Sequence, residues 1–294
     1  MIMSNTLAGS AAVRVVSERP LRGTLSEDVP GYPPGGPGHS SVSPGDPSSL
    51  MCWIHPEWSQ RFPWLAQGTT GKSPRAGFGD FRLFDPDAGP EVEARWLEMA
   101  RGQGFSGIQH ARQVHGLDIH LHSDPGIGLS IGEDADGHMS STEGVLMGVT
   151  VADCVPVFLV DPIHRAVAVL HAGWRSTAGG ILQKGLRLLS EQTGTATDDL
   201  LVHLGPAICG KCYEVGPEVH TALGLPDPGG PTPVDLRDVL ARCAQGMGVL
   251  SARITRSSFC TRCDISTFFS HRGGDPQRQV AFLGLRPVRN DPTK

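Results

Sequence analysis

Three short apolar runs constrain this chain more than anything else in it. One runs from Val145 to Val151 and stops at Ala152-Asp153-Cys154. A second runs from Val155 to Val160 and ends at Asp161-Pro162, and a third, Ala166 to Leu170, leads directly into His171. Runs this short, rich in β-branched residues and broken by Gly, Pro and Asp, read as buried strands joined by tight connections. Cys154 then stands at the break between two strands and His171 at the end of the third. Both fall at the rim of a sheet, where rigid backbone holds a reactive group within reach of solvent.

The residues after His171 continue the pattern. Ala172-Gly173-Trp174-Arg175-Ser176-Thr177 supplies small residues for a close-packed turn, an Arg suited to anions, and Ser and Thr as helix N-caps. Apolar residues at Ile181, Leu182, Leu186, Leu188 and Leu189 predict an amphipathic helix from Ala178 to Leu189. Its N-terminus, close to His171 and Arg175, could receive phosphate or another anion, or could be an ordinary capped start.

The rest of the chain surrounds this centre. Residues 1 to about 50 are rich in Pro, Gly and Ser, as in Pro30-Gly-Tyr-Pro-Pro-Gly-Gly-Pro-Gly38, and read as a flexible extension with one strand-like stretch, Val13 to Val16. From Met51 the composition becomes globular, so residues 51–288 read as one catalytic domain and 289–294 as a tail. Glu91 to Met99, Pro217 to Leu223 and Asp235 to Ala244 read as helices. Ile108 to Gly116, Leu200 to Leu204 and Gln279 to Leu285 read as strands, the first placing His115 at its end. Asp134-Ala-Asp136-Gly137 lacks the complete spacing of a calcium loop and reads as a turn.

Composition excludes several classes of function. A formal charge of −5 with 39% hydrophobic residues suits a soluble globular protein, and nothing in that balance asks for nucleic acid or an anionic membrane. No apolar stretch approaches the roughly 20 residues that span a bilayer. Seven cysteines, an odd number in a chain of 294 residues, suit a reducing cytoplasm in which thiols serve metal or catalysis.

Imidazole and thiolate are favoured ligands of zinc and copper, and His115, Cys154 and His171 share the same kind of local context. Two His and one Cys leave a fourth tetrahedral position for water, the arrangement of a catalytic zinc. Two other readings compete. Cys209-x-x-Cys212 and Cys260-x-x-Cys263 could form a structural zinc site, although their separation exceeds that of a compact ribbon. Cys154 could also act as a nucleophile with His171 as its base.

Several of these residues lie in motifs that occur together in one family. Gln113-Val-His-Gly116, Ala152-Asp-Cys-Val-Pro156, His171-Ala-Gly-Trp-Arg175, Gly205-Pro-Ala-Ile208 with Cys212-Tyr-Glu-Val215, and Phe268-Phe-Ser-His-Arg272 follow one another in the family's order. Over roughly residues 60 to 287 the chain resembles the multicopper polyphenol oxidoreductase (laccase-like) family, also called the YfiH or peptidoglycan-editing-factor family. Its members are generally regarded as purine nucleoside phosphorylases with adenosine deaminase activity. The resemblance implies a single α/β domain with mixed sheets packed between helices, and zinc ligands at His115, Cys154 and His171. It implies purine nucleosides (adenosine, inosine, methylthioadenosine) and phosphate as substrates, with zinc-activated water suited to attack at purine C6.

Arg175 and Arg272 are the candidates for an anion clamp, and Asp153 for orienting a ligand or acting as a base. Departures from the pattern include Ser176 for Gly, His271 for Tyr, and Thr69-Thr70-Gly71 where an Arg is expected; they bear on nucleoside and phosphate binding and leave the metal trio intact. The family's other names carry rival functions: a copper-dependent polyphenol oxidase with Met147 as axial ligand, a hydrolase that edits cell-wall precursors, and a metal-binding protein without turnover.

Overall fold

A computed structural model describes residues 12–21, 50–73 and 79–287. Two seven-stranded mixed sheets lie face to face. The first runs in the order Arg14–Val16, Ile254–Ser257, Leu201–Leu204, Val155–Asp161, Ala166–Ala172, Gly137–Ser140, Ile119–His122. The second runs Arg19–Leu21, Cys52–Ile54, Leu65–Thr70, Gln279–Leu285, Leu146–Val151, Gly107–Ala111, Gly128–Gly132.

Alternation along the strands decides what each face buries. In Val155–Asp161, residues Val155, Val157 and Leu159 join a core shared with helices Ile181–Thr193 and Leu236–Gly246. The intervening Phe158 and Val160 join Val167, Val169, Met147, Val149, Ala281 and Leu283 between the two sheets. Beyond the second sheet, helix Pro90–Gly102 packs Val92, Trp96 and Met99 against Ile108, Leu146 and Phe282. The result is helices, sheet, sheet, helix: the expected α/β architecture, with both sheets buried on both faces and therefore apolar throughout their central strands.

The three central runs form strands as predicted, lengthened to Val155–Asp161 and Ala166–Ala172 in the latter two. Asp161 closes the hairpin between them: its buried carboxylate accepts hydrogen bonds from the backbone N–H groups of Ile163 and His164. His171 consequently lies inside its strand, one residue before the end. The helix expected from Ala178 breaks at Gly180, whose left-handed backbone (φ 88°) ends a short helix, Trp174–Gly179, and begins Ile181–Thr193. Ser176 and Thr177 sit within the short helix and do not cap it; Gly173 occupies the N-cap position.

The boundary expected at residue 50 needs correction. Arg14–Val16 pairs in parallel with Ile254–Ser257, and Arg19–Leu21 pairs with Cys52–Ile54, so one short segment supplies an edge strand to each sheet. Between them Glu18 is buried, bonding His203 Nε2 at 3.1 Å and accepting from Ser257 Oγ at 2.8 Å. A carboxylate removed from water this fully is tolerated because both oxygens find partners. The sequence marks Val13 to Val16 as strand-like, and the structure forms Arg14–Val16 there; Arg19–Leu21 and the burial of Glu18 escape it because three-residue strands carry almost no periodic signal. The Pro- and Gly-rich stretch and the 289–294 tail lie outside the described residues.

Buried neutral histidines tie stability to pH. Burial and the neighbouring His203 push His55 down to about 2, and burial pushes His110 down to about 4. Their folded-state values lie below the ordinary 6.5, so the unfolded chain binds more protons at mildly acidic pH. The stability they contribute is complete above pH 6.5 and is lost as pH falls below it. The unfolding free energy from denaturant titrations should therefore fall between pH 6.5 and pH 4.5 by up to about 1.4 kcal/mol per pH unit for each such histidine. His110→Gln should flatten that slope by one such increment.

Candidate metal centre

His115, Cys154 and His171 come together although they are far apart in sequence, each offering one ligand atom, with all three atoms within 4.8 Å of one another. Strand register does most of the placing. Val155 pairs with Ala172 and Pro156 with His171, so Cys154, just before one strand, meets Gly173, just after the other. A Cβ on Gly173 would lie 2.8 Å from His115 Cδ2 and 3.1 Å from Cys154 Sγ, so only glycine lets these donors converge here. His115 does not end a strand. The strand stops at Ala111, and His115 follows in a loop with left-handed φ of 59°.

That loop is held by Asp136. The carboxylate of Asp136, fully buried, accepts hydrogen bonds from the backbone N–H groups of Val114, His115 and Gly116 at 3.0, 3.0 and 2.7 Å. It also bonds His171 Nδ1 at 2.7 Å, while the His171 N–H donates to the Asp136 carbonyl at 2.7 Å. One carboxylate thus sets two of the three donors. With Nδ1 facing Asp136, His171 directs Nε2 toward Cys154 and His115, the carboxylate–histidine arrangement found behind metal ligands.

Electrostatics agree with this geometry. Burial opposes ionisation of Asp136, but the His171 hydrogen bond and charge and the N–H donors outweigh it, holding the carboxyl below its ordinary range. Burial would likewise raise Cys154, yet His171, aided by His115, brings the thiol down to about 6. His171 is raised to about 9: Cys154 and Asp136 overcome the burial that would lower it. A thiolate and two imidazoles, one of them braced by a carboxylate, are a donor set that fits zinc or copper.

Asp153 adopts a left-handed backbone (φ 84°) directly before Cys154. His115 and Asp153 are two of the three non-glycine residues with positive φ among the described residues, so strain concentrates at this site. Both Asp153 oxygens are engaged, Oδ1 by Thr261 Oγ1 and Oδ2 by the Arg272 N–H, each at 2.6 Å. The Arg272 guanidinium lies over the Tyr213 ring and donates to the Glu214 carbonyl at 2.9 Å. Arg175 is exposed and stacks on Trp174, with Cζ 4.4 Å from the ring centroid.

Tyr213 and Arg278 received no role from the sequence. Burial and the neighbouring Cys154 push the Tyr213 phenol up to about 12, with Arg272, Asp153 and Arg175 also within electrostatic reach. Burial holds Arg278 below its ordinary range despite nearby Cys154 and Asp153. The adjacency of Tyr213 to Cys212 in a recognisable motif was the available signal for the first; a lone Arg before a strand gave none for the second. Met147, the candidate axial copper ligand, is fully buried in the core between the sheets. His120 and His122 join His138 across paired strands, and His122 Nε2 shares a 2.9 Å hydrogen bond with His138 Nδ1.

Comparison with known proteins agrees with the fold and with these motifs. The family described as multi-copper polyphenol oxidoreductase laccase matches residues 80–286. The purine nucleoside phosphorylase YlmD of Geobacillus stearothermophilus is 37% identical over 194 residues, covering 59% of this chain and 70% of that protein. An adenosine deaminase, RL5, from an unknown prokaryotic organism is 33% identical over 193 residues, 60% of this chain and 73% of its own length. The crystal structure of YlmD from Geobacillus stearothermophilus superposes with a TM-score of 0.71 at 29% identity, covering 80% of this chain and 96% of that one.

If Asp136 sets the ligand geometry, Asp136→Asn should weaken zinc binding by about 10- to 100-fold, measured by competition with a chromophoric chelator. Gly173→Ala should do the same by forcing His115 from Cys154, with the circular dichroism spectrum unchanged. Full zinc affinity in both variants would refute this account of the site.

Proposed function

The chain belongs to the multi-copper polyphenol oxidoreductase laccase family, and from that membership we propose that it is a zinc-dependent purine nucleoside phosphorylase with adenosine deaminase activity. The observation that carries this reading is the trio itself: two imidazoles and a depressed thiol converge at a sheet rim, backed by Asp136 and bordered by Tyr213, Arg175 and Arg272. Relatives of this chain are named for both activities.

His115, Cys154 and His171 would hold the metal. When bound, zinc supplies a Lewis-acidic charge that lets water ionise near neutral pH, the requirement for replacing the purine C6 amine by oxygen. Copper fits the same donors, but Met147 is turned into the core and gives no axial ligand for a blue-copper site.

The chain's own groups account for phosphorolysis. In that reaction phosphate oxygen bonds to the anomeric carbon, the carbon–nitrogen bond to the purine breaks, and the base leaves with the proton that the hydrogen phosphate gives up, while ribose 1-phosphate remains. Arg272 and Arg175 supply positive charge for the phosphate. Asp153 holds the Arg272 backbone and Thr261 in place, so it serves as a positioning residue, and Tyr213 offers an aromatic wall and a phenol that stays protonated at neutral pH.

The test is product analysis with adenosine and phosphate, alongside metal content, for wild type, Cys154→Ala and Arg272→Ala. Wild type should carry zinc and yield adenine with ribose 1-phosphate, and inosine. Cys154→Ala should lose about 100-fold or more of both activities, and Arg272→Ala should raise KM for phosphate about tenfold. Stoichiometric metal without any purine product would overturn the reading and turn the search to phenols or cell-wall precursors. Turnover by metal-free protein would favour a Cys154–His171 hydrolase.

A further inference from the structure

A second cluster stands outside the centre described above. Cys209, Cys212, Cys260 and Cys263 converge so that all four sulfurs lie within 4.8 Å of one another. The separation in sequence that argued against a common site is bridged by the fold: Ala207 forms a parallel bridge with Cys260, and the Thr261 N–H donates to the Ala207 carbonyl at 3.2 Å. Each Cys-x-x-Cys segment then turns tightly, the first as the short 3-10 helix Gly210–Cys212.

We propose that these four cysteines bind a structural zinc ion as a tetrathiolate. Tetrahedral zinc with bonds of about 2.3 Å places its sulfurs about 3.8 Å apart, within the spread of this cluster, whose Cys212 and Cys263 sulfurs are 3.4 Å apart. The buried Cys260 Sγ accepts two backbone N–H groups, from Cys209 at 3.3 Å and Cys263 at 3.4 Å. A thiolate accepts such hydrogen bonds far better than a thiol, as charge-assisted bonds are the stronger ones. Lys211 and Arg262 occupy the third position of the two segments and offset the net negative charge of zinc with four thiolates, and Arg262 also donates to the Cys212 carbonyl at 3.2 Å. No fifth donor or open position is needed, which makes the site structural.

Its position gives it a task. Thr261, between two of the ligands, is a partner of Asp153, and Tyr213 directly follows Cys212. The zinc would pin together the two loops that carry these walls of the catalytic centre.

The test separates this ion from any held by the trio. Full-length Cys154→Ala protein, purified under reducing conditions without chelator, should retain about one zinc per chain by elemental analysis. Adding Cys263→Ser should remove it, whereas adding Cys263→His, which restores a zinc donor, should keep it. Cobalt in the Cys154→Ala background should give the intense visible and near-ultraviolet thiolate bands of a tetrahedral CoS₄ centre, absent with Cys263→Ser. Zinc-free Cys154→Ala protein, zinc retained after Cys263→Ser, or a Cys212–Cys263 disulfide found by intact mass under these conditions would overturn the proposal. None of these outcomes depends on purine turnover, so failure of the proposed activity would leave this result intact.

Discussion

The bond between Asp136 and His171 organises more of this molecule than its size suggests. Asp136 lies immediately before a strand that pairs with the one carrying His171, so the sheet itself brings the two together. A buried carboxylate in such a place would be costly without partners, and the loop from Val114 to Gly116 supplies three N–H groups to it. The same arrangement satisfies the charge, fixes the imidazole's orientation and holds His115 in a backbone conformation that a non-glycine residue rarely adopts. The loop's strain is therefore supported by the carboxylate's need for donors.

A second acidic residue does comparable work on the other side of the centre. Asp153, also in a left-handed conformation, reaches a threonine and an arginine backbone more than 100 residues away. The two aspartates differ in their targets. Asp136 secures His115 and His171 of the candidate metal centre, while Asp153 secures Thr261 and the Arg272 backbone. Substituting either one would thus have different consequences for ligand binding and for substrate binding.

Much of the fold was legible because its central strands are buried on both faces, which writes them as continuous β-branched runs ended by Asp, Pro or Gly. Cys154 and His171 could be located at the rim from those endings alone. Asp136 could not, because its importance comes from register between strands far apart in sequence, and locally it reads as a turn. The four-cysteine cluster was judged by sequence separation, which is a poor guide once a parallel bridge joins two distant segments. Arg14–Val16 was legible as the strand-like stretch Val13 to Val16, whereas Arg19–Leu21 was not: it is a short edge strand whose partner, like those of the neighbouring buried Glu18, lies elsewhere in the chain.

The glycine at position 173 has one more implication. Because His115 and Cys154 approach the space where its side chain would be, the centre is complete only when the loop carrying His115 meets the hairpin that carries Cys154 and His171. The full set of three donors exists only once that loop has docked on the hairpin. An ion in this place would then be acquired late, by a framework already folded, and would guard the finished sheet against opening without guiding its formation.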